Sequence, residues 1–373
     1  MKNQNTRSRK NICFMNTTPV WGGGEKWSRD FALLARDAGY GAFVIANRES
    51  ELADRLAGEP GVEVLRLRIS NTSFLNPAVL LRLAGFFRSR RIDSLIMALP
   101  SDLKAGGLAA RLAGVPDIIF RRGLGVPTKN SALNRFLFGR VLTKLICNSE
   151  DTRNQVLKNN PEMIERERTH IVHCGFDVAG FDAQTPEPLF SPQDSKIVIG
   201  TAGRLTEQKG HRVLIEAARI LKDRGLDFKV LIAGKGRLEN ELKALARELG
   251  VDDVVVFLGF VTDMKAFHES LDIFALPSFW EGFCYAQVEA MVLERPVVAF
   301  DVSSIPEVVI HGQTGYLAPV GDAPAFAGLL EKLALDQSLR RKLGAAGRKR
   351  VVDNFELQKT FKDFEQVISI PPK

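Results

Sequence analysis

The sequence predicts an α/β protein of two doubly wound domains, and three observations carry that prediction. The chain has 373 residues, more than one hydrophobic core ordinarily organises. Short apolar runs of strand length alternate with helical stretches along the chain, the pattern of parallel sheets with crossover helices. The alternation then stops at Asp177–Ser195, where D-V-A-G-F-D-A-Q-T-P-E-P-L-F-S-P-Q-D-S carries three prolines and no periodicity, as an interdomain linker does. The expected division is a first domain over 1–180, a linker over 181–195, a second domain over 196–353 and a terminal segment over 354–373.

Composition narrows the class. Hydrophobic residues at 45% with charged residues at 25% describe a soluble globular protein. No run approaches the ~20 apolar residues of a membrane span. The opening M-K-N-Q-N-T-R-S-R-K is basic and polar, and the apolar run after it is interrupted at Asn16, so no signal peptide is expected. Cys13, Cys147, Cys174 and Cys284 show no paired spacing and read as reduced thiols of a cytoplasmic protein. The net charge of +7 is uneven: residues 1–190 hold 27 Lys and Arg against 19 Asp and Glu, while residues 191–373 hold 24 against 25. A basic first half suggests an anionic partner such as a membrane surface or a phosphorylated glycolipid. The chain lacks the basic-aromatic motifs and metal fingers of nucleic-acid modules, so no nucleic-acid partner is expected.

In order, Lys10–Asn16 is a first strand, and T-T-P-V-W-G-G-G-E follows at its carboxyl end. Gly22, Gly23 and Gly24 let backbone N–H groups approach a ligand; the same cluster is alternatively a flexible turn. Glu25–Ala38 has helical periodicity, stopped by Gly39, and Gly41–Ala46 completes a βαβ unit. Strands at 62–67, 94–98, 117–120 and 144–149 alternate with helices over 77–90 and 102–113. The helix N-P-A-V-L-L-R-L-A-G-F-F-R-S-R-R joins Leu80, Leu83, Phe86 and Phe87 to Arg82, Arg88, Arg90 and Arg91. It fits either an anionic lipid surface or the core with a solvated basic end. In the second domain, strands at 196–202, 228–233, 254–258, 271–276 and 296–300 alternate with helices, and a final helix covers 354–368.

Ligands of open α/β sheets collect beyond the carboxyl ends of strands. Four stretches fall there. In G-R-L-T-E-Q-K-G, Gly203 follows the strand, Arg204 offers a planar fork for phosphate, and Lys209 adds a compact cation. I-A-G-K-G (232–236) has Glu239 where the dinucleotide fingerprint needs glycine. F-L-G-F-V (257–261), with Phe260, is an apolar strand end able to hold a nucleobase ring. P-S-F-W-E-G-F-C-Y-A-Q-V-E-A-M-V-L-E-R-P (277–296) runs from a strand exit into a helix framed by Glu281 and Glu289. At 1.5 Å rise per residue these carboxylates lie roughly 12 Å apart along the axis, the reach of a sugar diphosphonucleoside. Free N–H groups at about Phe283 to Ala286 form a helix start suited to phosphate, and Gly282, Phe283 and Cys284 count with Gly203 among the expected donor-binding residues. The five histidines show no metal-ligand spacing and no Asp-x-Asp is present, so no metal or other cofactor is expected.

These motifs, with C-N-S-E-D-T-R (147–153), H-C-G-F-D (173–177) and I-P-E-V-V-I-H-G-Q-T-G-Y-L (305–317), resemble in order and spacing the retaining glycosyltransferases of family 4. The resemblance covers nearly the whole chain. It implies the GT-B fold, two facing Rossmann-like domains with a cleft between them and a last helix crossing back to the first. It also implies that Arg204 and Lys209 hold the donor diphosphate, Glu281 contacts the donor sugar and Glu289 holds the ribose. Gly22–Gly24 would face the phosphates or the acceptor. Attack would come from the face of the leaving group, a phosphate oxygen taking the acceptor proton.

Two departures stand out: Cys284 replaces the second glycine of the usual E-G-F-G, and Arg121-Arg122-Gly123 occupies the place where a histidine is common. Arg122 can act as a cation toward phosphate but cannot both donate and accept. The expected activity is transfer of a sugar from a nucleotide-diphosphate donor to a glycan or lipid-linked acceptor in surface polysaccharide or lipopolysaccharide assembly, in the cytoplasm with peripheral contact at an anionic membrane. A sugar-nucleotide epimerase of the same fold and a non-catalytic nucleotide-sugar-binding scaffold are the alternatives.

Overall fold

A computed structural model describes residues 10–190 and 197–371. The basic opening over 1–9, the end of the expected linker over 191–196 and the last two residues lie outside the described part. The chain divides into unit 1, Met1–Gly175 with Gln358–Lys373, and unit 2, Phe176–Leu357.

Unit 1 is built on a seven-stranded sheet in the order β3-β2-β1-β4-β5-β6-β7. Its strands are β1 (Asn11–Asn16), β2 (Gly41–Ala46), β3 (Val62–Arg66), β4 (Ser94–Met97), β5 (Asp117–Arg122), β6 (Lys144–Cys147) and β7 (Thr169–Ile171). Every pairing is parallel. Strands such as Ser94–Met97 and Lys144–Cys147 are buried throughout, as strands covered on both faces must be. Helix α1 (Gly23–Asp37) buries Trp27, Phe31 and Ala35 at helical spacing. Helix α2 (Pro77–Ser89) starts with an Asn76 side-chain cap and a proline in its first turn, and buries Leu83, Ala84 and Phe87. The helix expected over 102–113 runs from Pro100 to Ala113 with a π turn at Leu103–Gly107. There Gly106 lies so close to β1 that an added Cβ would sit 2.6 Å from the Met15 sulfur.

Unit 2 repeats the plan with six strands in the order β10-β9-β8-β11-β12-β13. They are β8 (Ile197–Ala202), β9 (Phe228–Ala233), β10 (Val255–Gly259), β11 (Ile273–Leu276), β12 (Val297–Phe300) and β13 (Gly315–Ala318). Again all pairings are parallel. The helices that matter here are α3 (His211–Asp223), α4 (Met264–Glu269) and α5 (Tyr285–Val292). In each unit the strand order reverses direction once, between β1 and β4 and between β8 and β11. Such a switch point leaves a crevice outside the carboxyl ends of the strands.

Two short strands escape the periodicity of the sequence. β7 has three residues and β13 has four, and each is the last strand at the edge of its sheet. The expected final helix is also interrupted. Helix α6 (Gln337–Phe355) ends at Glu356, which is extended at φ −61°, ψ 138°, and α7 (Leu357–Ser369) follows. The break has a partner: Phe176 N–H donates to Phe355 O at 2.8 Å and Leu357 N–H to Phe176 O at 3.0 Å. Beyond it, Phe361 and Phe364 of α7 pack on the aromatic side chains of unit 1, Phe364 within 6.0 Å of both Phe14 and Trp27.

Candidate functional site

The loop after β8 and the loop after β11 lie side by side at the switch point of unit 2. Phe279 N–H donates to Gln208 O at 2.8 Å, and Gln208 Nε2 donates to Trp280 O at 2.9 Å. Gly210 permits this approach: its φ is +61°, and a Cβ there would sit 1.9 Å from Pro277 O. Ser304 supports the second loop from the other side, donating to Glu281 O at 3.3 Å and to Gly282 O. The downstream I-P-E-V stretch thus begins beside the loop that carries Glu281.

Within this frame Lys209 Nζ lies 2.6 Å from Glu281 Oε1, and the two side chains are only 16% and 7% exposed. Gly203 makes room for the lysine stem, since a Cβ would fall 2.9 Å from Lys209 Cε. Burial disfavours the Lys209 charge, but the Glu281 carboxylate beside it helps to outweigh burial and the pKa is raised. Lys209 is therefore a fixed cation. Arg204 sits exposed close enough to oppose that charge slightly. A planar and a compact cation stand together, the second already anchored.

Cys284 caps α5 in the left-handed region, at φ 57° and ψ 87°, and its side chain makes no capping bond. Its sulfur is 4.0 Å from Lys209 Nζ. Burial pushes the thiol up to about 12 despite Lys209, so it is neutral. The helix begins at Tyr285, two residues later than Phe283, where the sequence pattern starts; Phe283 is buried against Phe355. The N–H groups of the first turn remain a helix start with a positive dipole end.

Glu289 lies in the second turn of α5, with 16% of its side chain exposed, and its Oε2 is 3.3 Å from Nε2 of the buried His268 on α4. Phe260 follows β10 and is 70% exposed. The glycines of I-A-G-K-G serve packing: a Cβ on Gly234 or Gly236 would lie 1.9 Å from Gly203 O or 2.3 Å from Leu205 O. They hold β9 against the Arg204 loop, which explains glycines there without a dinucleotide.

In unit 1 the expected residues gather at the carboxyl edge of the sheet. Gly22 is the N-cap of α1, with Gly23 and Gly24 in its first turn, and Asn16 Nδ2 donates to Glu25 Oε1 of that turn at 2.9 Å. Arg122 ends β5, lying over the Phe120 ring at 5.5 Å; burial, and next to it Arg121, lower its pKa. Arg121 stacks on Trp27 at 4.5 Å. The Nε atoms of both arginines are buried without a hydrogen-bond partner among the described residues. The switch point also holds Asp102, wholly buried, which accepts from Thr17 Oγ1 at 2.5 Å. Burial lifts its pKa to about 7.

The structure therefore brings Gly203, Arg204, Lys209, Glu281, Gly282 and Cys284 into one cluster. Glu289 stands on the helix that leaves it, and Phe260 stands past the end of β10, two strands from β8. Sequence reasoning missed Gln208, His268 and Asp102. Ser304 belongs to the stretch 303–322, which reads from the sequence as a tight turn and support for that loop, whereas His268 and Asp102 meet their partners only through tertiary packing.

Comparison with known proteins fits this architecture. The family model of glycosyltransferase family 4 matches residues 21–179, and that of glycosyl transferases group 1 matches residues 185–350. The chain belongs to the family 4 glycosyltransferases, with the GT-B fold. Among curated relatives, the capsular polysaccharide biosynthesis glycosyltransferase CapM of Staphylococcus aureus is 33% identical over 175 residues, 47% of this chain and 46% of the relative. The putative colanic acid biosynthesis glycosyltransferase WcaL of Escherichia coli is 35% identical over 202 residues, 52% and 49% of the two chains. The chain thus spans about half the length of the curated relatives it matches. Among solved structures, a glycosyltransferase from Rickettsia africae superimposes with a TM-score of 0.84 at 20% identity, covering 97% and 98% of the two chains. Anabaena HepE in complex with UDP gives 0.80 at 22% identity, covering 96% and 99%. At those identities the likeness is one of fold.

Proposed function

We propose that this protein is a retaining glycosyltransferase that moves a sugar from a nucleotide-diphosphate donor to a glycan or lipid-linked acceptor in surface polysaccharide assembly. The observation that carries the reading is the buried Lys209–Glu281 pair, with Arg204 beside it, at the switch point of unit 2. Relatives named for capsular polysaccharide, amylovoran and colanic acid biosynthesis support the pathway class. HepE solved with UDP-glucose supports a UDP-sugar as the first donor to try.

In this reading the bond between the sugar C1 and the β-phosphate oxygen breaks as the acceptor oxygen bonds to C1 on the same face. The acceptor proton passes to a phosphate oxygen. Arg204, Lys209 and the first turn of α5 stabilise the charge that grows on the leaving diphosphate, an electrostatic role needing no metal. Glu281 orients the sugar, Glu289 holds the ribose, and Phe260 offers a face for the base. In unit 1, Gly22–Gly24 and Arg122 serve the phosphates or an acceptor.

The first unit is further proposed to touch anionic membrane through α2. Its buried side is Leu83, Ala84 and Phe87; Leu81, 61% exposed, lies on the outside with Arg82 and Arg88. Arg90 is less available, because Glu63 holds it at 2.7 Å. Among the described residues no helix is long and apolar enough to cross a membrane.

The decisive experiment is incubation with UDP-, GDP- and ADP-sugars, with and without a chelator, following sugar release and its anomeric configuration. Slow hydrolysis with net retention, unchanged by the chelator, is expected. Epimerised nucleotide sugar would point to the epimerase, binding without any turnover to a scaffold, and Mn²⁺-reversible loss of activity would overturn the metal-free mechanism.

A further inference from the structure

Of the five histidines, His268 is completely buried and sits against a residue of the proposed donor site. Its ring is packed between Phe267 and Phe274, with centroids 5.3 and 5.2 Å away. A polar ring in such surroundings costs stability unless it has a partner. The group at hand is Glu289 Oε2, 3.3 Å from Nε2. The two atoms are close enough for charge pairing, yet they are not aligned as a hydrogen bond, and Nδ1 has no partner among the described residues.

We propose that His268 is a positioning residue for Glu289, holding one carboxylate oxygen so that the other meets the ribose hydroxyls of the donor. The inference rests on the reading of Glu289 as the ribose contact. Glu289 stands in α5 and His268 in α4, and the two helices pack on each other. The carboxylate is thereby fixed by an element other than its own helix. A glutamate has three rotatable bonds, and holding it before the ligand arrives removes an ordering cost from binding. Nε2 is the ring nitrogen that faces Glu289, so holding the carboxylate requires a proton at that nitrogen. The same logic governs the outer hydrogen bonds that hold ligating carboxylates at metal sites, with the ribose diol in place of the metal.

The test is discrimination between UDP and 2′,3′-dideoxy-UDP, measured by calorimetry on the full chain, with GDP or ADP pairs used in the same way should the donor screen select that base. The wild type is expected to favour the ribonucleotide at least about tenfold, the effect of removing the hydroxyls that a buried carboxylate would bind. Glu289→Gln should collapse that ratio. His268→Phe, which suits an aromatic pocket, should lower it about three- to tenfold, while His268→Gln, which keeps a donor, should hold it within about twofold; saturating-donor kcat should move little in either. If His268→Phe keeps the full ratio while Glu289→Gln loses it, His268 is packing alone and the inference falls. If Glu289→Gln also keeps it, the ribose assignment itself is wrong. Nitrogen NMR on labelled histidine in the wild-type chain reads the tautomer without a substitution: an Nε2–H signal for His268 is expected, and an Nδ1–H tautomer overturns the proposal.

Discussion

Lys209 and Glu281 come from loops 72 residues apart and meet at 2.6 Å, with Glu281 7% exposed. A cation assigned to phosphate is thus already tethered to the carboxylate assigned to the sugar. In the proposed reading donor binding would share Lys209 between a carboxylate and a diphosphate, with the lysine where leaving-group charge develops. Lys209→Met should cut kcat by about 10²–10³, as loss of a preorganised charge does. It should also destabilise unit 2 by about 3 kcal/mol, because Glu281 is left buried and unpaired. Adding Glu281→Gln should restore much of the stability and none of the activity. Urea unfolding and donor kinetics on the two variants measure both; recovery of activity together with stability would contradict the assignment.

The two glutamates should separate kinetically. Glu289 is expected to grip a part of the donor that does not change during reaction, so Glu289→Gln raises donor KM with kcat comparatively intact. Glu281 is proposed to face the reacting sugar, so Glu281→Gln should depress kcat with a smaller effect on affinity for the bare nucleoside diphosphate. Near-wild-type kinetics in both would reduce the pair to ordinary charge.

Much of this was legible in the chain because parallel strands buried on both faces read as short apolar runs, and glycines mark the turns after them. Gly203, Lys209 and Glu281 stand in the loops that follow strands, and Glu289 in the helix that follows the second of those loops. What stayed hidden depends on packing between distant segments. Asp102 looks like any residue at a helix start, and only its seat beneath Thr17 makes it unusual. His268 gave no spacing, since its partner lies 21 residues on in another helix. The break at Glu356 was invisible because Asn354–Ile368 is helical by pattern, and the pairing with Phe176 overrides it.

Stability should depend on pH with opposite signs at two buried groups. Asp102 has its pKa raised by burial from 3.8 to about 7, so the folded chain binds the extra proton. Its contribution is present below pH 3.8 and is lost as pH rises to about 7. His211 is pushed down from 6.5 to about 4 by burial and then by Lys209. Its contribution is present above pH 6.5 and is lost as pH falls to about 4. In chemical denaturation at several pH values, Asp102→Asn should gain on the wild type as pH rises, with a slope of up to about 1.4 kcal/mol per pH unit. His211→Gln should gain as pH falls. Parallel curves would mean that neither group is perturbed.

Binding to anionic vesicles should report on α2. Arg82 and Arg88 share its outer side with Leu81, Arg88 also donating to the Leu112 carbonyl, whereas the charge of Arg90 is paired with Glu63. Exposed charges are screened over a Debye length of ~8 Å near physiological salt, so binding should weaken as salt rises. Arg82→Glu/Arg88→Glu should weaken it further, and Arg90→Gln should matter less. Equal sedimentation with neutral vesicles, or none with anionic ones, would remove the membrane from the proposal.

Cys284 is the residue at which the chain departs from the glycine usual in its family, and the backbone has not changed to suit. At φ 57° a residue with a Cβ is strained by roughly 1–2 kcal/mol. Glycine would relieve that strain but gains freedom in the unfolded chain worth about 0.4–1 kcal/mol. Cys284→Gly should therefore raise stability by about 0.5–1 kcal/mol, whereas Cys284→Ala, which keeps the Cβ, should not. The thiol lies 4.0 Å from Lys209 Nζ and is neutral, its pKa pushed up to about 12 by burial. It should therefore alkylate slowly with iodoacetamide at pH 7.5, far more slowly than an ordinary exposed cysteine. Melting curves of the two variants and mass spectrometry of the alkylated wild type settle both points. Rapid labelling of Cys284, or a Gly variant less stable than the Ala one, would show that the sulfur is placed there for packing or reactivity and that the left-handed backbone is not its main cost.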